Sequence, residues 1–279
     1  MDLKAFEDIP PWEWPRDAGK RFLAVLMDRR ARKSDRLIAA ELAGDYTVIN
    51  DQLADSLMAI TRSPDEPPQL RATAAIALGP ALEAAETDGF EDPDDVPISE
   101  RTFHNIQDSL QRLYFDNSVP KEVRRRILEA SVRSPQDWHR DAIKAAYSSG
   151  DQEWMLTAVF AMRWVQGFDD EILEALHSAD PDIHVEAVKA AGSWELAAAW
   201  PHIAALLEDA STPKPLLLAT IGAAASVHPA EAGPTLVDLA ASEDEDIAEA
   251  ADEAMMMDEG MLHQEDDEED DEDDEEDED

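Results

Sequence analysis

Apolar residues recur along most of this chain at three- and four-residue steps, the spacing that puts them on one face of a helix. The pattern is clearest from Asp180 to Asp209, DPDIHVEAVKAAGSWELAAAWPHIAALLED. Asp180 can accept the first free backbone N–H groups, and Pro181 fits the first helical position, where its missing donor is no loss. Ile183, Val185, Val188 and Ala191 form the expected inward stripe. A break is predicted at Gly192-Ser193, then a second helix and an acidic turn. One such hairpin cannot bury its apolar face alone, so it needs neighbours of the same kind.

The neighbours are present in the sequence. A Leu, Ile, Val or Met lies five residues after a capping-type residue at Asp65/Leu70, Ser118/Val123, Gly150/Met155, Asp180/Val185, Ser211/Leu216 and Ser242/Ile247. From Val123 onward these anchors step by 32, 30, 31 and 31 residues. Seven positions beyond the anchors stand Ala77, Ala130, Met162, Gly192, Ala223 and Ala254. Small residues there are expected to let the two helices of a hairpin approach closely. A period near 30 suits two short helices and two turns, and repetition at that length is the mark of a helical array.

The pattern D-P-D-x-x-V-x-x-x-x-x-A-G followed by AAAWPHIAALLED resembles the HEAT-like repeats, in the short form of phycobilisome-lyase-type proteins. The resemblance covers about Asp65 to Met257. It implies an all-α, right-handed α-solenoid of about six to seven antiparallel hairpins, one helix of each on the convex side and one on the concave side. The Arg that often follows the family's anchor stands here only at Arg71 and Arg124.

Within that frame, 1–16 reads as a capping segment in which Trp12 and Trp14 cover the open end of the first hairpin. The array is expected over 17–262, and 263–279 as a disordered acidic tail. A first helix is predicted over Asp17–Ala31 with Phe22, Leu23, Leu26 and Met27 inward, then Ser34–Ala43 and Val48–Ile60. One helix is predicted over Pro67–Ala85. An acidic insertion at about 87–98 follows, TDGFEDPDDVP, which lacks the spacing of an EF-hand loop. Ser99 opens a long helix through Phe115. Trp154, Met155, Val159, Phe160, Met162 and Trp164 read as core. A last helix from Asp244 to Met257 ends in three methionines, of which at least one must face outward.

Charge narrows the choice of partner. The net charge is −42, and 265–279 are fifteen consecutive Asp or Glu. Without them, fifty acids stand against 23 bases, so the array itself carries about −27. Such a surface has two readings: a solvating layer that keeps the chain soluble, or one that attracts basic partners and repels nucleic acid. There is no Cys, hence no disulfide or thiolate site. The first residues lack a signal-peptide pattern, and no apolar run is long enough to span a bilayer, so a cytoplasmic protein is expected.

No catalytic motif, metal-ligand spacing or phosphate loop is found, and no cofactor is expected. The one basic zone is 121–144, with seven bases against four acids. From it Trp138, His139, Arg140, Lys144, Arg124 and Arg125 are the candidate partner-binding residues, those from Trp138 onward on the helix expected to face the concave groove; ion pairing within the array is the plainer account of the same charges. The expected function is a non-enzymatic scaffold binding a protein partner, a basic one included, through the groove and the acidic tail. Two alternatives remain: a HEAT-like DNA glycosylase or other nucleic-acid binder, which needs a basic groove, and a bilin-lyase-like cofactor handler, suggested by the repeat subtype. The oligomeric state is not legible.

Overall fold

The computed structural model describes residues 3–7, 9–90 and 96–256. Residues 91–95 of the acidic insertion, Met257 and the tail at 263–279 lie outside them. The described residues are helical with no strand, as the periodicity predicts. The chain divides into two compact units, 1–157 and 158–279, and the division falls within helix α9 (Gln152–Ala161).

The first unit begins with two short 3-10 turns, Leu3–Phe6 and Pro11–Glu13. Helices α1 (Ala18–Met27), α2 (Lys33–Leu42), α3 (Asp51–Arg62) and α4 (Pro68–Ile76) follow. Then come α5 (Gly79–Asp88), α6 (Glu100–Phe115), α7 (Lys121–Ser131) and α8 (Asp137–Tyr147). Helices α2, α4 and α7 pack side by side in that order, while α3 and α6 pair with each other and with α4 and α7 respectively. That is the two-layer stacking a repeat array requires.

The second unit contains α10 (Asp169–Ala175), α11 (Pro181–Ser193), α12 (Trp200–Glu208), α13 (Lys214–Val227), α14 (Pro229–Ala240) and a helix over 245–256. Here α11 packs chiefly on α13 and α10, and α12 on α13. The stretch from Asp180 to Asp209 is therefore two helices whose main partners lie in neighbouring repeats.

The small residues explain this packing, and they correct one expectation. All six positions from Ala77 to Ala254 in the repeat register are buried. Their close contacts, however, join the first helices of successive repeats. A Cβ added to Gly192 would lie 2.8 Å from the Ala223 Cα, which sits on α13. Likewise a Cβ on Gly44, just past α2, would lie 2.2 Å from the Ala77 carbonyl oxygen at the end of α4. The break predicted at Gly192-Ser193 moves accordingly. Gly192 is inside α11, and the turn comes at Glu195, whose φ of 49° is left-handed. Glu195 N–H donates to Gly192 and Leu196 N–H to Ala191, the paired bonds that close a Schellman motif.

Other departures have local causes. The single helix expected over Pro67–Ala85 is two, because Pro80 has no N–H for the Ile76 carbonyl and its ring crowds that turn. Met27 and Val185 are not part of the core: Met27 is exposed at the end of α1, and Val185 is half-buried beside the fully buried Ala187 and Val188. Of the large residues placed in the core near α9, Val159 and Met162 are buried, whereas Trp154, Met155, Phe160 and Trp164 are half-buried. Of the predicted capping residues, Asp180 accepts from Asp182 and Ile183 N–H at 2.9 and 3.2 Å. Asp65, Ser118 and Ser211 sit two residues too early, before N-caps made by Pro67, Pro120 and Pro213. Arg71, the residue after an anchor, is buried and donates from Nε to the Thr61 carbonyl at 2.9 Å, satisfying an orphan carbonyl at the end of α3.

Two glycines test this packing in opposite directions. Gly192→Ala forces α11 away from the α13 backbone and should cost about 1–3 kcal/mol, as overpacking does. Gly222→Ala, on the exposed face of α13 with nothing within 4 Å of an added Cβ, should gain up to about 1 kcal/mol from helix propensity. Urea midpoints that move in these two directions support the register; equal midpoints for the two variants would refute it.

Candidate partner-binding cleft

In the first unit a cleft of about 790 Å³ lies between the N-terminal turns and α7. Its floor is made by α4 and the turn after it, with Gln69, Ala72, Thr73, Ile76, Ala77 and Pro80. The Gly44–Ala77 approach brings the end of α2 against that floor, and Glu41, Leu42 and Asp45 line it there.

The first wall is held by an aromatic cluster. Trp14 packs edge-to-face on Phe6 and Phe22, with centroids 5.7 and 5.4 Å away, and its indole N–H donates to the Phe6 and Ile9 carbonyls. Phe6, Glu7, Ile9, Pro11 and Trp14 thereby become lining residues. Of the two tryptophans, Trp14 packs against Phe22 of α1, while Trp12 stands exposed.

The opposite wall is Glu122, Arg126 and Arg133. Arg133 lies across Gly79, where a Cβ would come within 2.8 Å of its Nε, and reaches Glu83 at 2.7 Å. Arg126 pairs with the buried Glu129, whose other oxygen accepts from Thr157 Oγ1 at 2.6 Å. Both cations of the cleft are thus neutralised by carboxylates that do not line it. Glu41, Asp45 and Glu122 make no ion pair among the described residues. The floor mixes apolar Ala72, Ile76, Ala77 and Pro80 with Gln69 and Thr73, and carboxylates without an ion pair among the described residues stand on both sides.

The sequence-predicted residues do not converge there. His139 is fully buried, which removes it as a surface contact. Its Nδ1 accepts from the Gln136 N–H at 2.8 Å and its Nε2 meets Ser131 Oγ at 2.9 Å, so it caps α8 and ties it to α7. Trp138 is half-buried against Tyr114, Phe115 and His139. At about 100° per residue, Arg140 lies roughly 200° around α8 from Trp138. The buried face, with His139, Ala142, Ile143 and Ala146, separates the two. Arg140 and Lys144 are exposed on that other flank, with no ion pair among the described residues. Arg124 stacks over the Trp154 ring and bonds Asn117, and Arg125 is held by Thr157, Glu153 and Glu129. With Lys121 paired to Asp151 and Glu153, ion pairing absorbs most of the 121–144 zone. Sequence reasoning missed the cleft residues because they come from four separated segments, and in so acidic a chain no single Glu stands out.

No protein-family model matches the sequence, and no curated protein matches it. Among solved structures the chain is similar to E. coli YibA, at 17% identity over 88% of this chain and 84% of that one, with a TM-score of 0.43. It is also similar to human deoxyhypusine hydroxylase in complex with glycerol, at 16% identity over 92% and 96%, with a TM-score of 0.41. An engineered protein matches at 18% identity over 73% and 95%, with a TM-score of 0.39. Likeness at this level transfers no activity, and whether the chain is an enzyme is left open by it. No helix among the described residues is long and apolar enough to cross a membrane.

Burial gives His139 a measurable role in stability. Desolvation pushes its pKa from 6.5 down to about 4. The unfolded chain therefore binds a proton that the native state refuses, and stability should fall as pH drops from about 6.5 to about 4. At about 1.36 kcal/mol per unit the loss is about 3 kcal/mol. Urea titrations across that range should show a shallower loss in His139→Gln; an unchanged slope would remove His139 as the cause.

Proposed function

We propose that this protein is a HEAT-like repeat scaffold whose first-unit cleft binds a basic, extended segment of a partner protein. The observation that carries this reading is the charge balance of the cleft. Arg126 and Arg133 are neutralised from outside, whereas Glu41, Asp45 and Glu122 face the opening without counter-ions. A Lys- or Arg-bearing chain supplies the missing charge at the rim, and its apolar side chains suit Ala72, Ile76 and Trp14. The volume falls in the range of ligand clefts, about 300–1,000 Å³. The surplus of acids over the whole chain supports the same partner by raising its local concentration. Pairing of the 121–144 bases with carboxylates weighs against the nucleic-acid alternative, which needs those cations free.

Fluorescence anisotropy with a labelled peptide of alternating Lys/Arg and apolar residues tests the proposal. Glu41→Lys combined with Glu122→Lys should weaken binding at least tenfold, about 1.4 kcal/mol, and flatten its salt dependence. The acidic tail is intact in both proteins, so the difference reports the cleft alone. Equal affinity in the variant, or equal binding of an acidic control peptide, would overturn the assignment.

A further inference from the structure

Three of the seven histidines meet in the second unit. His184 is on α11, His202 on α12, and His177 follows α10. The Nε2 atoms of His184 and His202 are 2.8 Å apart, and the His177 ring stands edge-on to His202 with centroids 5.1 Å apart. A neutral pair at that distance shares one proton, one ring donating and the other accepting. Both rings are half-buried, and the neutral form of each keeps a lone pair for a ligand.

Among the described residues no set of three or more His, Cys, Asp or Glu is arranged to hold a metal. What the pair offers is one edge of a coordination sphere, and its length is informative. Two imidazole nitrogens at about 2.0 Å from an ion with 90° between them lie about 2.8 Å apart. A tetrahedral Zn²⁺ site, with bonds of about 2.0–2.1 Å, needs about 3.3 Å between its nitrogens. We propose that His184 and His202 form a two-imidazole edge site for a tetragonal first-row ion, with Cu²⁺ preferred and Ni²⁺ next. On binding, the donor ring moves its proton from Nε2 to Nδ1, so both neutral rings present Nε2 and no proton is released. Water fills the other positions, and His177 is near enough to supply a third nitrogen by turning its side chain. The ion would clamp α11 to α12, two helices that otherwise pack mainly on other partners.

The experiment is electron paramagnetic resonance of the full chain, free of any affinity tag, titrated with CuCl₂. The expected result is one equivalent of Cu²⁺ with at least two equatorial nitrogens, well separated from the oxygen-only signal of the acidic tail. His184→Ala and His202→Ala should each weaken that equivalent at least tenfold and remove a nitrogen, while His104→Ala leaves it unchanged. In competition, Zn²⁺ should bind the site at least tenfold more weakly than Cu²⁺. An oxygen-only spectrum in the unmutated chain overturns the proposal even if the variants fail to fold. So does an unaltered nitrogen signal in folded His184→Ala and His202→Ala, or Zn²⁺ binding as tightly as Cu²⁺.

Discussion

The stacking of this protein depends on how closely the first helices of successive repeats can approach. Where Gly192 meets Ala223, and where Gly44 meets the Ala77 carbonyl, the glycine has no room for even a methyl group against the facing backbone. Burial at these positions follows from that distance, since apolar groups flanking a close contact leave no room for water. A single hairpin supplies only half of each contact. Stability is therefore shared between neighbours, and a change at one small residue is felt by two repeats at once.

Charge is organised around the same frame. The buried or half-buried arginines are used locally: Arg36 grips Glu66 with two bonds, Arg71 takes up the Thr61 carbonyl, and Arg125 and Arg126 converge on Glu129. The Arg36 hydrogen bonds hold the Glu66 carboxyl below its usual range despite its burial. With only 23 bases for 65 acids, committing the arginines to such contacts leaves carboxylates in excess on the surface. The negative charge of the cleft is thus a consequence of where the bases are spent in holding helices together.

The repeat was legible because it is written in local terms: a period near 31, a large apolar anchor, and a small residue seven positions on. What the small residue touches was not legible, since periodicity fixes a face but not the helix that covers it. Pro80 carried a readable helix break that the apolar pattern masked. Glu195 carried none, because only the Schellman hydrogen bonds of the surrounding turn reveal its left-handed backbone. The basic zone was visible as composition, yet burial turned His139 into a cap, and helical geometry put Trp138 and Arg140 on different flanks of α8.

The cleft and the histidine pair share a reason for being hidden. Each assembles residues from separate helices: Glu41, Ile76 and Glu122 in the first case, and His184 and His202, 18 positions apart, in the second. In a repeat fold the layer of first helices recurs every 30 residues or so, so neighbouring positions on a shared surface are about one period apart in sequence. Motifs defined by tight local spacing are therefore the wrong probe for such a chain. Residues separated by one period, give or take a turn, are the pairs that meet: Arg36 and Glu66, Lys121 and Asp151, Lys214 and Asp244 each lie 30 apart and each form an ion pair. Reading the sequence in columns of one repeat length recovers contacts that a linear scan leaves scattered, and it directs the search for function to columns whose charges lack an opposite neighbour one column over. Glu122 is a residue of that kind, with Asp92 and Gln152 standing 30 positions away on either side.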